Sequence, residues 1–116
     1  MGDQMTAIMA YVIKFVADMP ATVKFYQEVL GLPLKFQSPQ WSEFATGETT
    51  LALHQASGQN PAGTVQLGFH DPDHRSLQER LRLSGAVLTR PAEKEGGEII
   101  SEYRDPDGSR FSLGQG

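Results

Sequence analysis

The chain has no cysteine, one tryptophan and three histidines among its 116 residues. Without cysteine, disulfides, thiolate metal sites and cysteine nucleophiles are all excluded. No apolar run approaches the roughly 20 residues that span a bilayer, so no membrane partner is expected. Met1 to Thr6 lacks the basic start and apolar core of a secretory signal, which makes the cytoplasm the expected compartment. Basic residues are few and scattered, 10 against 14 acidic ones for a net charge of −4, so the clustered cations of a nucleic-acid groove are missing too. What remains is an ordinary globular composition, 39% hydrophobic and 21% charged. Half of this length would bury too little surface alone, so the chain is one domain built of two small modules around a shared core.

The stretch Tyr11–Phe36 carries the plan of the fold. An apolar strand runs into Asp18, whose carboxylate can accept from the free amides that open a helix, and Pro20 sits in the first turn, where a missing N–H costs nothing. Met19, Val23, Tyr26 and Leu30 recur three or four residues apart and draw one apolar stripe along that helix. Gly31 supplies its left-handed stop. Strands follow at Leu34–Phe36, Trp41–Ala45 and, after a Thr46-Gly47-Glu48 turn, Thr49–His54. The unit reads βαβββ.

Ala56–Gly63 is polar, rich in Gly, Pro and Asn, and without periodicity, as a linker should be. The same pattern then returns. Thr64–Phe69 is a strand, Asp71-Pro72-Asp73 starts a helix, Leu77, Leu81 and Ser84 form its stripe, and Gly85 ends it. Ala86–Thr89 is a strand, Arg90–Gly97 a charged loop and Glu98–Arg104 a strand, while Asp105-Pro106-Asp107-Gly108 is a turn leading into a last strand, Arg110–Leu113. This internal repeat predicts an α+β fold of two βαβββ modules, residues 8–56 and 64–114 joined by a linker at 57–63. Each would be a mixed four-stranded sheet with its helix outside, the free sheet faces curling around a cleft.

On its opening strand into VADMPATVKFYQEVLGLPL, its hairpin into LALH and its terminal YRDPDGSRFSL, in that order and spacing, the sequence resembles the vicinal oxygen chelate superfamily. That superfamily includes glyoxalase I, extradiol dioxygenases, fosfomycin resistance enzymes and bleomycin resistance proteins. The resemblance implies paired βαβββ modules, assembly as a homodimer, and, in the enzymes, a divalent metal held by His or Glu from four strands. Carried onto this chain, those four places fall at Tyr11, Ala52, Thr64 and Ser112. Ala52 offers a cation no donor, and Thr64 and Ser112 offer only weak neutral ones. No metal and no other cofactor is therefore expected.

Among residues that can still carry chemistry, His54 shares a strand face with Ala52 and can bind a ligand, act as acid or base, or end a strand half exposed. Tyr11, Ile13 and Phe15 share a face that Trp41 can join, giving either an aromatic wall for a planar ligand or ordinary packing. Gln66, Glu102, Arg104 and Ser112 are the further polar side chains placed toward the cleft, and Arg104 can clamp a carboxylate or phosphate or merely balance Glu102 and Asp105. His70 and His74 flank a proline turn at a helix start, which favours capping over metal binding. Lys14 falls on the helix side of its strand and must reach water along its alkyl stem.

Three functions are compatible with this pattern. The first is a metal-independent binding protein that sequesters a small, partly aromatic molecule, as the bleomycin resistance proteins do. A second is a glyoxalase- or dioxygenase-like enzyme, a lyase, isomerase or oxygenase, with an atypical metal site or one based on His54. A structural subunit with its cleft packed shut is the third.

Overall fold

The computed structural model describes residues 7–95 and 98–115, so the reading of Met1–Thr6 and the end of the expected charged loop at 96–97 lie outside it. The described residues form two compact units, Ala10–Val65 and a second made of those from Gln66 onward together with residues 7–9. In the first unit, β1 (Ile8–Val16) leads to α1 (Met19–Lys24), β2 (Leu34–Gln37), β3 (Trp41–Ala45) and β4 (Thr50–Gln55). The strand order is β2-β3-β4-β1, with β1 parallel to β4 and the other pairs antiparallel. The second unit repeats this with β5 (Val65–His70), α2 (His74–Ser84), β6 (Val87–Glu95), β7 (Glu98–Arg104) and β8 (Arg110–Gly114). Its order is β6-β7-β8-β5, and β5 runs parallel to β8 as β1 does to β4. The α+β fold of two βαβββ units is therefore observed as expected.

Local chemistry sets the helix starts. Asp18 accepts a hydrogen bond from the Ala21 amide at 3.0 Å, and Pro20 stands in the first turn. In the second unit the cap is Asp73, which accepts from the Ser76 amide at 3.1 Å. Asp71 is fully buried and accepts from the Asp73 amide at 2.8 Å, so it braces the turn that presents the cap. Gly85 ends α2 at φ 81°, a conformation that costs glycine nothing. Neither helix is long and apolar enough to cross a membrane.

Three expectations are corrected. Beyond Lys24 the first helix widens into a π-type turn, Phe25–Val29, in which the Leu30 amide donates to the Phe25 carbonyl five residues back at 3.3 Å. The extra residue carries Leu30 away from the apolar stripe and leaves it 55% exposed, and Leu32 packs on the core in its place. Ser84 likewise leaves the stripe of α2, its hydroxyl donating to the Leu81 carbonyl at 2.7 Å. Finally, β6 continues through Arg90–Glu95, where a charged loop is expected. Cross-strand pairing with β7, accommodated by register shifts between Leu88 and Arg90 and between Arg90 and Glu93, overrides the charged composition there.

Strand alternation decides what each face of the first sheet buries. Val16, Phe44 and Leu53 point toward α1 and form a core with its Met19 and Val23. Lys14 stands opposite Leu53 on that side, half-buried, as its parity requires. On the reverse face Ile13, Phe15 and Ala52 form a second buried cluster, against which Tyr11 and Trp41 pack.

Candidate functional site

The second cluster of the first unit is where chemistry-bearing side chains converge. The parallel register sets Ile13 opposite Ala52 and Phe15 opposite His54, and the antiparallel register sets Trp41 opposite His54 and Glu43 opposite Ala52. Six residues from three strands thus meet on one face. The Trp41 ring stands edge-on to Tyr11 at 6.0 Å and to His54 at 5.7 Å, and Phe15 lies 5.3 Å from the His54 ring. Contacts of this geometry are worth about 0.5–1.5 kcal/mol each beyond the area they bury. Fully buried Ala52 is small enough to let the larger rings close around it.

Polar groups fix the orientation of these rings. The indole N–H of Trp41 donates to a Glu43 carboxylate oxygen at 2.7 Å, a charge-assisted bond. Lys35 lies 3.8 Å from the other Glu43 oxygen and 3.4 Å from the Thr50 hydroxyl, a more exposed and weaker contact. The exposed His54 holds its Nδ1 at 2.8 Å from the Gln55 carbonyl oxygen. A carbonyl oxygen only accepts, so Nδ1 carries the hydrogen, and in the uncharged form of the ring Nε2 presents a lone pair. The assembled face offers ring edges and surfaces with one acceptor nitrogen beside them.

The remaining sequence candidates lie in or next to the second unit. Gly68 pairs with Ser112 and Ser112 with Glu102, so alternation places Gln66, Ser112, Glu102 and Arg104 on one side of that sheet. Gln66 is 7% exposed. Arg104 is exposed, and its guanidinium donates to the Gly108 carbonyl at 2.8 Å, which ties it to its own hairpin. Thr64 precedes β5, exposed, with its hydroxyl donating to the Pro61 carbonyl at 2.7 Å. Tyr11 lies seven residues before the cap Asp18, and Gln66 lies seven before the cap Asp73. Gln66, rather than Thr64, is therefore the second-unit equivalent of Tyr11.

Among the described residues no three His, Asp or Glu side chains stand close enough together to hold a metal ion. His74 is 4% exposed at the start of α2, with Nε2 3.3 Å from the Leu113 carbonyl, a packing role. Sequence reasoning passed over Glu43, which pins the indole, and Arg110, which lies 3.9 Å from Glu102. Both were accessible by counting alternate residues from Trp41 and from Ser112.

A model of the Glyoxalase/Bleomycin resistance protein/Dioxygenase superfamily matches residues 8–113. The chain belongs to this superfamily. It is 30% identical over 118 residues to virulence protein STM3117 of Salmonella typhimurium, covering 90% of this chain and 81% of that protein. It is also 30% identical over 120 residues to lactoylglutathione lyase GLX1 of Arabidopsis thaliana, where 89% of this chain spans 42% of the plant enzyme. Methylmalonyl-CoA epimerase from Mycobacterium tuberculosis has the same fold, with a TM-score of 0.77 at 18% identity over 92% of this chain and 86% of the epimerase. The resemblance sets the four metal-ligand places at Tyr11, Ala52, Thr64 and Ser112, and by the repeat's own spacing from its helix caps Gln66 stands at the third.

Proposed function

We propose that the chain is a metal-independent binding protein that holds a planar, partly aromatic small molecule against the Tyr11, Trp41 and His54 face. The observation that carries this reading is the fixed Trp41 indole. Its one donor is already engaged by Glu43 at 2.7 Å, so what it presents to a ligand is ring surface. The lone pair on His54 Nε2 suits a phenolic O–H or an amide N–H at the ligand's margin. The donors of the four strand places, a phenol, an amide and a hydroxyl beside a methyl group, suit a divalent cation poorly, whereas sequestration needs no activated water.

The test uses 2-naphthol as probe and the single tryptophan as reporter. Saturable quenching of Trp41 fluorescence is expected, with affinity falling at least tenfold in His54→Ala, and with zinc and manganese leaving the titration unchanged. Stoichiometric tight binding of either metal would overturn the reading.

The identity to a lactoylglutathione lyase favours a second reading, an enzyme in which His54 Nε2 takes a proton from a bound substrate. Turnover of lactoylglutathione that His54→Ala abolishes would establish it in place of the first. Unchanged turnover in that variant would remove His54 from the chemistry.

A further inference from the structure

The outer strand β2 carries an aromatic side chain that plain alternation would send into the core. Leu34 stands opposite Phe44 and packs on the cluster beneath α1. In a regular strand Phe36, two residues on, would point the same way. It does not. The register of β2 on β3 shifts between Leu34 and Phe36, which sets Phe36 opposite Glu43 and Gln37 opposite buried Ser42. Glu43 in turn faces Ala52, on the side of the sheet that bears Trp41 and His54. Lys35, inside the shift, lies on that side too, with its ammonium 3.8 Å from Glu43 and 3.4 Å from the hydroxyl of Thr50, the partner of Tyr11. The bulge thus turns Phe36 onto the aromatic face.

The turned ring is left in water. Phe36 is 53% exposed, although a regular strand would have buried it with Leu34. A single exposed phenylalanine needs no explanation. A bulge that disrupts the ladder in order to move one does, and re-aiming a side chain beside a functional site is what such bulges are found to do. The register also fixes how far away the ring stands. His54 faces Trp41 from β4, whereas Phe36 lies on β2 and two residues along, so their Cα positions are about 12 Å apart by strand spacing and rise. Trp41 lies between them, its indole bonded toward Glu43, the partner of Phe36. One six-membered ring laid on the indole with its hydroxyl on His54 Nε2 stops short of Phe36. Two linked rings reach it.

We propose that Phe36 is the outer contact of the aromatic face and its specificity-determining residue, selecting ligands that carry a second ring beyond the one held at Trp41 and His54. This rests on the reading of that face as a binding site and adds the length of what it takes.

The experiment compares phenol with 4-phenylphenol, titrating each into ¹⁵N-labelled protein and following the indole N–H of the single tryptophan. The two-ring probe is expected to bind about tenfold tighter, the gain from one further ring contact and the area it buries. In Phe36→Ala the two probes should bind alike, and in Phe36→Tyr, which keeps a ring there, the preference should return. A wild-type protein that binds both probes equally, or a preference that survives in Phe36→Ala, would overturn the inference while leaving the binding reading in place. So would a preference lost in Phe36→Tyr as well. Failure of both probes to shift the indole signal of the wild-type protein would overturn the binding reading, and this inference with it.

Discussion

Replacing Trp41 by Phe and Glu43 by Leu, singly and together, isolates the bond that orients the indole. The donor–acceptor distance is 2.7 Å, the acceptor is charged, and the Glu43 side chain is 22% exposed. A hydrogen bond to a charged group contributes about 1.5–3 kcal/mol when sheltered, and partial exposure places this one near the lower end, about 1.5 kcal/mol. Lys35, 3.8 Å from Glu43 and half exposed, adds little in either background. The coupling energy of the double-mutant cycle is therefore expected at about 1–2 kcal/mol, with each kilocalorie shifting the melting temperature by about 4 °C for a domain of this size. Urea unfolding followed by far-UV circular dichroism measures it, because Trp41→Phe removes the fluorescence signal. A coupling inside the additivity error of about 0.5 kcal/mol would refute the idea that Glu43 fixes the ring. In Glu43→Leu the freed indole must be ordered anew by each ligand, a cost of about 0.5–1.5 kcal/mol, so 2-naphthol affinity should fall about two- to tenfold.

Other outcomes follow from the same geometry. Leu53→Ala empties a fully buried position at the centre of the Val16, Met19, Val23 and Phe44 cluster, and urea titration should show a loss of about 2–5 kcal/mol. Asp18→Ala and Asp73→Ala each remove a helix cap and should each cost about 1 kcal/mol by the same assay, with Asn in either place restoring most of it. The hydrogen bonds from Arg82, helped by its charge, hold the Glu79 carboxyl below its ordinary range. Because the folded-state value is the lower one, the pair's stabilisation is present above the unfolded-state value and is lost as pH falls through the folded one. A carboxyl-carbon titration by NMR should show Glu79 returning toward its ordinary value in Arg82→Gln and in high salt.

What was legible in the sequence was what local chemistry settles. Asp18, Gly31, Gly85 and Gly108 each mark an end or a turn through their own backbone needs, and the strands between them fell within a residue or so of their observed bounds, β6 excepted. The aromatic face was legible for the same reason, since alternation alone sets Tyr11 and Phe15 on one side of β1. Where two local signals competed, sequence could not choose. Asp71 and Asp73 both look like caps, and taking the first as the reference displaces the equivalent of Tyr11 from Gln66 to Thr64; burial of Asp71 beneath the turn is a tertiary fact. The long β6 and the widened end of α1 were hidden likewise, because strand pairing and core packing outweigh the local preference of charged residues and of a regular helical stripe.

The wide turn at Phe25–Val29 also says something about how this protein can change over time. An ordinary helical pitch advances about 100° per residue, so deleting outward-facing Gln27 would swing Leu30 back under the sheet while Gly31 still closed the segment. A surplus residue is stored there as slack. Descendants of this gene can gain or shed one codon at that spot and leave the strands on either side where they are.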